Sequence, residues 1–282
     1  SIFVNMLDEF VRRALSEDLG DGDHTSLACI NEDEKSAARL EVRERGILAG
    51  IGVAKRVFEL YDSSLEIEIL KNDGDSVIEG DIAFIVKGSA RSILSTERLV
   101  LNLMQRMSGI ATKTHQMVEM ISHTDAILLD TRKTTPGIRF IEKEAVAIGG
   151  GGNHRFGLYD MIMIKDNHID YAGGISRAIQ KTHSYLDANN KKLKIEIEVR
   201  SLNELDEVLT EGKVHRIMLD NFSPNEIENA LKLIPQEYET EASGGITEEN
   251  IVAYAETGVD YISVGALTHS VKSLDLGLKA YT

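Results

Sequence analysis

Positive charge is the first thing this chain is short of. Against 46 Asp and Glu it has 31 Lys and Arg in 282 residues, a formal net charge of −15. So acidic a chain repels a phosphate backbone, and nucleic acid is excluded as its principal partner. Cysteine is nearly missing: Cys29 stands alone, so neither an internal disulfide nor a thiolate metal cluster can form. A reducing compartment fits, and the cytoplasm is the expected location. No 18 apolar residues run together as a spanning helix needs, and no membrane partner is expected. Asp8, Glu9, Arg12 and Arg13 interrupt the first 15 residues, so a secretory signal is not expected either. Three prolines leave little room for a long linker. What remains, 42% apolar and 27% charged residues, is the balance of a globular chain with a sizeable core. At about 150 residues per domain, the length suggests two domains.

The two halves have different patterns. Phe3, Met6, Leu7, Phe10, Val11, Ala14 and Leu15 recur at helical spacing, and residues 18–26 form a loop rich in Gly and Asp. Residues 38–42, 65–70 and 82–86 read as strands, with turns at 72–75 and 79–81 and a short helix over 53–61. Residues 92–122 read as a long helix or helix pair interrupted at Ser108-Gly109, where the first domain hands over to the second. The expected division is 1–110 and 111–269, with the tail 270–282 a candidate to rejoin the first domain. Beyond Asp125, apolar strands at 126–129, 161–164, 194–199, 216–219, 238–242 and 261–264 alternate with helices. Ser201-Leu-Asn-Glu204 has capping-box form at the start of one of these helices, and Ser223 caps another with Pro224 at its first position. Such strand-helix repeats predict a parallel sheet with right-handed crossovers. No Gly-x-Gly-x-x-Gly follows the first of these strands, which favours a barrel over a dinucleotide fold.

In parallel barrels, chemistry sits just past the C-terminal ends of the strands. Here those positions hold Asp130-Thr-Arg-Lys133, Lys165-Asp-Asn-His168, Glu198, Asp220-Asn221, Ser243-Gly-Gly245 and Gly265. The last two glycine-bearing ends suit a phosphate cradle, because glycine lets backbone N–H groups approach an anion. Glu198 and Asp220 suit ribose hydroxyls or Mg²⁺, and Glu196 points the same way from its strand as Glu198. Arg132, Lys133, Arg155 and Lys165, with His154 adjacent, form a cationic set able to hold carboxylates. Residues 98–168 carry 9 Lys and Arg against 7 Asp and Glu, so the acidic excess lies elsewhere in the chain. The glycines Gly149 to Gly152 lack a P-loop ending and read as a flexible turn folding His154 and Arg155 back over the pocket.

Thr131-Arg-Lys-Thr-Thr-Pro-Gly-Ile-Arg139, Gly150-Gly-Gly-Asn-His-Arg155, Ile164-Lys-Asp-Asn-His-Ile169, Leu219-Asp-Asn-Phe222 and Ala242-Ser-Gly-Gly-Ile246, with the early Glu17-Asp-Leu-Gly-Asp-Gly-Asp-His-Thr-Ser26, resemble the quinolinate phosphoribosyltransferase family. The resemblance covers nearly the whole chain. It implies an α/β fold with a sandwich-like N-terminal α/β domain, then an incomplete parallel α/β barrel, and a homodimer in which one subunit's N-terminal domain completes the other's site. The implied reaction joins quinolinate to phosphoribosyl pyrophosphate with Mg²⁺, giving nicotinate mononucleotide, pyrophosphate and CO₂.

By the same resemblance, Thr131, Arg132, His154, Arg155 and Lys165 bind quinolinate, with Arg98 reaching in from the partner subunit. Lys133, Glu198, Asp220, Ser243, Gly244, Gly265 and His269 bind phosphoribosyl pyrophosphate. Lys133, Glu198 and Asp220 are the implied catalytic residues, and Glu198 and Asp220 the metal ligands. Arg98 and His269 rest on the resemblance alone. No nucleophilic residue is expected, so Cys29 is expected in or near the core. The alternatives are nicotinate phosphoribosyltransferase, a paralogue associated with molybdenum transport, and a non-catalytic ligand-binding relative. The last would have lost a metal carboxylate or a cage cation, and neither is lost.

Overall fold

A computed structural model describes residues 2–281. The chain opens with α1 (Ile2–Leu19), which buries a stripe of Leu7, Val11 and Leu15, and α2 (His24–Cys29), where a loop was expected to run on to Ser26. Asp23 starts α2 by accepting the Ser26 N–H at 3.2 Å and the Ser26 hydroxyl at 2.5 Å. Then come β1 (Lys35–Val42), β2 (Gly46–Ile47), α3 (Ile51–Tyr61), β3 (Glu66–Ile69), β4 (Ser76–Val77), β5 (Ile82–Ser89) and α4 (Ala90–Met120). The expected break at Ser108-Gly109 is absent, for α4 is one continuous helix. These two residues serve packing. The Ser108 hydroxyl accepts the Ala49 N–H at 2.9 Å, and Gly109 lies against the Lys272 carbonyl, where a Cβ would collide.

The second half runs β6 (Ile127–Leu129), α5 (Arg139–Ile148), β7 (Ile162–Ile164), α6 (Asp166–Ala172), α7 (Ile175–Ala188), β8 (Ile195–Val199), α8 (Leu202–Glu211), β9 (Arg216–Asp220), α9 (Pro224–Leu231), β10 (Glu239–Ser243), α10 (Ile251–Ala255), β11 (Tyr261–Ser263), α11 (Ala266–His269) and β12 (Leu276–Tyr281). Two compact units result: residues 1–115, 135–150 and 267–282, and residues 116–134 and 151–266. By contact the first unit takes in residues 135–150 and also the tail, which was expected as a candidate to rejoin it. One reason is α5, whose Phe140 ring meets those of Phe3 and Phe10 edge-on at 5.6 and 6.1 Å. Another is β12, which pairs antiparallel with β1 from Ala37↔Tyr281 to Val42↔Leu276.

The first unit holds a four-stranded antiparallel sheet in the order β12-β1-β5-β3. Its core is apolar: Leu40, Val42, Val57, Phe58, Phe84 and Val86 are all buried. Cys29 is exposed, contrary to expectation, because it ends a short surface helix.

The second unit holds a six-stranded parallel sheet in the order β6-β11-β10-β9-β8-β7. Each strand from β8 to β11 lies beside its predecessor, and β11 returns to β6. Among the described residues no pairing closes β6 onto β7, so the barrel is incomplete. Gly152 is not part of a free turn. It bridges in parallel to Leu129 at the β6 edge and donates its N–H to Leu128 O at 2.7 Å, and a Cβ there would sit 2.8 Å from Leu129 Cδ2. No helix among the described residues is long and apolar enough to cross a membrane.

Candidate active site

Strand alternation creates the site in the second unit. On β8, Ile195, Ile197 and Val199 share one face, leaving Glu196 and Glu198 together on the other. The same alternation brings Arg216 and Asp220 of β9 and Glu241 and Ser243 of β10 into the set, with Asp220 paired to Ser243 and Glu196 to Arg216 in register. Two polar layers follow, one at the strand ends and one two or more residues deeper.

The outer layer holds Glu198 and Asp220. Burial comes first, then Asp220 beside it; together they push the Glu198 carboxyl up to about 7, with Lys165 pulling the other way. Two carboxylates held so close form a donor set that suits a divalent cation. Lys165 stands at the start of α6, where its N–H donates to His168 Nδ1 at 3.0 Å, so His168 fixes the segment carrying the ammonium. After β10 the chain turns through Ser243, Gly244 and Gly245. Gly244 has φ +96°, and a Cβ on it would strike the Asn221 side chain, so only glycine fits. Asn221 takes φ +56° and donates its N–H to Ser243 O at 2.9 Å, tying the β9 and β10 ends together. The Thr131 hydroxyl accepts the Lys133 N–H at 3.0 Å, which curls the segment after β6.

The cationic set is brought together in part. Arg155 is half-buried beside Arg132. Burial first, and then that like charge, lower its pKa, while Glu196 and Asp160 oppose the change. Guanidinium groups match carboxylates with paired N–H donors. Arg155 also lines a cleft of about 470 Å³ along β7, with Met161, Ile162, His168, Lys181 and Tyr185. Lys133 is exposed, and Gly265 follows β11. Arg98, on α4, and His269, at the end of α11, belong to the first unit and are both exposed; His269 Nδ1 lies 2.6 Å from the Ser270 hydroxyl.

The deeper layer was not foreseen. His154 is buried, with Nε2 2.9 Å from Glu241 Oε2 and 2.9 Å from Glu196 Oε2. Nδ1 accepts the Arg155 N–H at 2.7 Å, so both ring nitrogens are engaged by the protein. Burial alone would lower the imidazole pKa, but the hydrogen bonds and charges of Glu196 and Glu241 outweigh it and raise it. Burial and then Glu241 raise the Glu196 carboxyl, whereas hydrogen bonds from Glu196 and His154 overcome burial and lower Glu241. The two buried carboxyls are thus pushed in opposite directions, Glu196 toward the neutral acid and Glu241 toward the anion. Arg216 completes the layer, with Nη1 3.6 Å from Glu241 Oε2, Nη2 3.2 Å from Glu239 Oε2, and its guanidinium 4.0 Å from the centre of the Tyr261 ring. Glu241 and Arg216 escaped notice because neither follows a strand. The available signal was charge at every second position of otherwise apolar strands.

Comparisons with known proteins agree on one family. A family model described as the quinolinate phosphoribosyl transferase N-terminal domain matches residues 23–108, and the model of the C-terminal domain matches residues 110–279. The decarboxylating quinolinate phosphoribosyltransferase 1b of Nicotiana tabacum is 48% identical over 287 residues, covering 96% of this chain and 81% of the tobacco protein. A probable carboxylating nicotinate-nucleotide pyrophosphorylase of Bacillus subtilis is 44% identical over 272 residues, covering 96% of this chain and 92% of its own. Among solved structures, NadC from Streptococcus pyogenes superposes with a TM-score of 0.92 at 40% identity, covering 98% of this chain and 97% of that one. Human nicotinic acid phosphoribosyltransferase, at 12% identity and a TM-score of 0.64, shares the fold alone.

Proposed function

The chain belongs to the quinolinate phosphoribosyl transferase family, and on that premise we propose that it transfers phosphoribosyl from phosphoribosyl pyrophosphate to the ring nitrogen of quinolinate. The C1–oxygen bond to pyrophosphate breaks and a C1–nitrogen bond forms. The ring carboxylate next to the nitrogen then leaves as CO₂, its bonding pair stays on the ring carbon, and a proton from solvent takes its place. The product is nicotinate mononucleotide, a step of NAD biosynthesis.

The observation that carries this reading is that one unit gathers Arg132, Arg155 and Lys165 with Glu198, Asp220 and the Gly244 turn. Neighbouring guanidinium groups match two carboxylates on neighbouring ring atoms, with Lys165, Thr131 and the partner's Arg98 completing the cage. The cage orients the ring so that its nitrogen faces the anomeric carbon at near-attack distance and bulk water is kept out. Lys133 neutralises charge on the departing pyrophosphate, Glu198 and Asp220 hold the ribose hydroxyls, and Ser243, Gly244, Gly265 and His269 hold phosphate. Glu198 and Asp220 would also hold Mg²⁺, directly or through water, and the ion would supply further neutralisation of the leaving group.

The assembly we propose is a homodimer working in the cytoplasm. Its support is that Arg98 is exposed on the first unit, and that Leu158, Tyr159, Tyr171 and Tyr185 are exposed on the second. Carboxyl-labelled quinolinate with phosphoribosyl pyrophosphate and Mg²⁺ should release labelled CO₂. Turnover of nicotinate with no release would overturn the reading. Mixing inactive Arg98→Ala and Lys165→Ala proteins should restore part of the activity if sites are shared, and verified mixed dimers with none would overturn the shared site.

A further inference from the structure

We propose that the ion pair of Glu142 and Arg106 is a positioning device for the polyphosphate: it sets the backbone on which Lys133 and His269 stand. The inference rests on the phosphoribosyl pyrophosphate reading above, and its ground is a set of contacts within the first unit. Glu142, in the first turn of α5, is completely buried. Its Oε2 accepts from Arg106 Nε at 3.0 Å and from Nη2 at 2.9 Å. Its remaining capacity goes to Thr135, whose backbone N–H donates to Oε1 at 2.8 Å and whose hydroxyl donates to Oε2 at 2.9 Å. Thr135 follows Lys133 by two residues, so the carboxylate anchors the segment that carries the ammonium.

Arg106 reaches a second segment. Its Nη2 also donates to the Thr268 carbonyl at 2.6 Å, and Thr268 is buried immediately before His269. Further along α4, Lys113 Nζ donates to the Ser270 carbonyl at 2.9 Å. The carbonyls on either side of His269 are thus both held from α4. One carboxylate–guanidinium pair ties together α4, the segment after β6 and α11. Replacing a buried ion pair by apolar groups of the same volume is often neutral for stability, so the geometry this pair imposes is the better account of it. Cations neutralise a leaving group only if they stay in place as its charge develops, and a misplacement of about 1 Å can cost about 100-fold.

The test uses Glu142→Gln, which keeps an acceptor for the Thr135 N–H but loses the charge that holds Arg106. It also uses Arg106→Lys, which keeps a charge but cannot serve Glu142 and Thr268 together. Once circular dichroism shows that they fold, each should raise KM for phosphoribosyl pyrophosphate about 10- to 100-fold. KM for quinolinate should change by less than about 3-fold, because Arg155 and Lys165 stand in the second unit, outside this network. Binding of inorganic pyrophosphate with Mg²⁺, read by calorimetry, should weaken in parallel. Equal rises for both substrates, or a lower urea midpoint with both KM values unchanged, would overturn the proposal. If either variant does not fold, Thr135→Val and Lys113→Met, at the two edges of the network, take its place. Each should raise KM for phosphoribosyl pyrophosphate about 3- to 10-fold, and no change in either overturns the proposal. Hydrogen exchange separates this inference from the functional reading: amides of residues 133–138 and 266–274 should exchange faster together in Glu142→Gln or, in its place, Thr135→Val. Loosening of one segment alone overturns the coupling. Wild-type protein inert toward phosphoribosyl pyrophosphate sinks the functional reading, while the exchange result still judges the coupling.

Discussion

Glu196 and Glu198 stand two residues apart on one face of one strand, yet they belong to opposite kinds of carboxylate pair. The deeper pair, Glu196 with Glu241, is closed in by His154 and Arg216, so its charge is met within the protein. The outer pair, Glu198 with Asp220, repels itself with Lys165 acting against the repulsion, and the Glu198 carboxyl rises to about 7. Charge balanced from inside makes a scaffold. Charge left unbalanced at strand ends makes a site that draws its complement from solution.

The comparison breaks most visibly at Glu241. Replacing it with Leu takes the carboxylate partner from buried His154 and leaves Arg216 with Glu239 alone, and should cost about 3–5 kcal/mol in urea unfolding, whereas Asp220→Asn in the outer layer should cost little stability. The roles reverse for activity: Glu198→Gln combined with Asp220→Asn should lower kcat/KM about 10²- to 10³-fold or more, read from initial rates at saturating Mg²⁺. Gly244→Ala, which forces a Cβ into Asn221 at positive φ, should weaken phosphoribosyl pyrophosphate binding with an effect of about 1–3 kcal/mol, measured as KM for that substrate. The smallest effect is a pH term. An unfolded glutamate loses its proton near 4.5 and folded Glu198 near 7, so between these values the folded chain holds a proton that the unfolded chain has released. Stability from this group therefore falls as pH rises from about 4.5 to about 7. Glu198→Gln should remove the fall and gain about 1–2 kcal/mol above pH 7 in metal-free buffer once solvent screening is allowed for, checked by urea midpoints at pH 5 and pH 8. Equal gains at both values would contradict the assignment.

Much of this site is legible from the strand ends, because a parallel strand followed by a helix leaves its last residues pointing into a common mouth. Lys165, Glu198, Asp220 and the Ser243–Gly245 turn all stand where that rule puts them. Arg98 and His269 are not legible in this way, since an exposed helical Arg and an exposed terminal His have no local pattern to mark them. The continuity of α4 was misread because glycine marks a helix break and a close helix contact with the same letter; here Gly109 admits the Lys272 backbone. Gly152 was misread for the same reason, as glycine serves a flexible turn and a tightly packed sheet edge equally well.

By itself the amino-acid order determined the alternation of strands with helices, the polar strand ends and the family, because each depends on neighbours along the chain or on short motifs. Only the tertiary structure decided that His154 turns inward to Glu241 while Arg155, the next residue, comes to lie beside Arg132. The physical reason is distance in sequence: His154 and Glu241 are 87 residues apart, and no local rule states which buried charge will find which partner once the sheet closes around it.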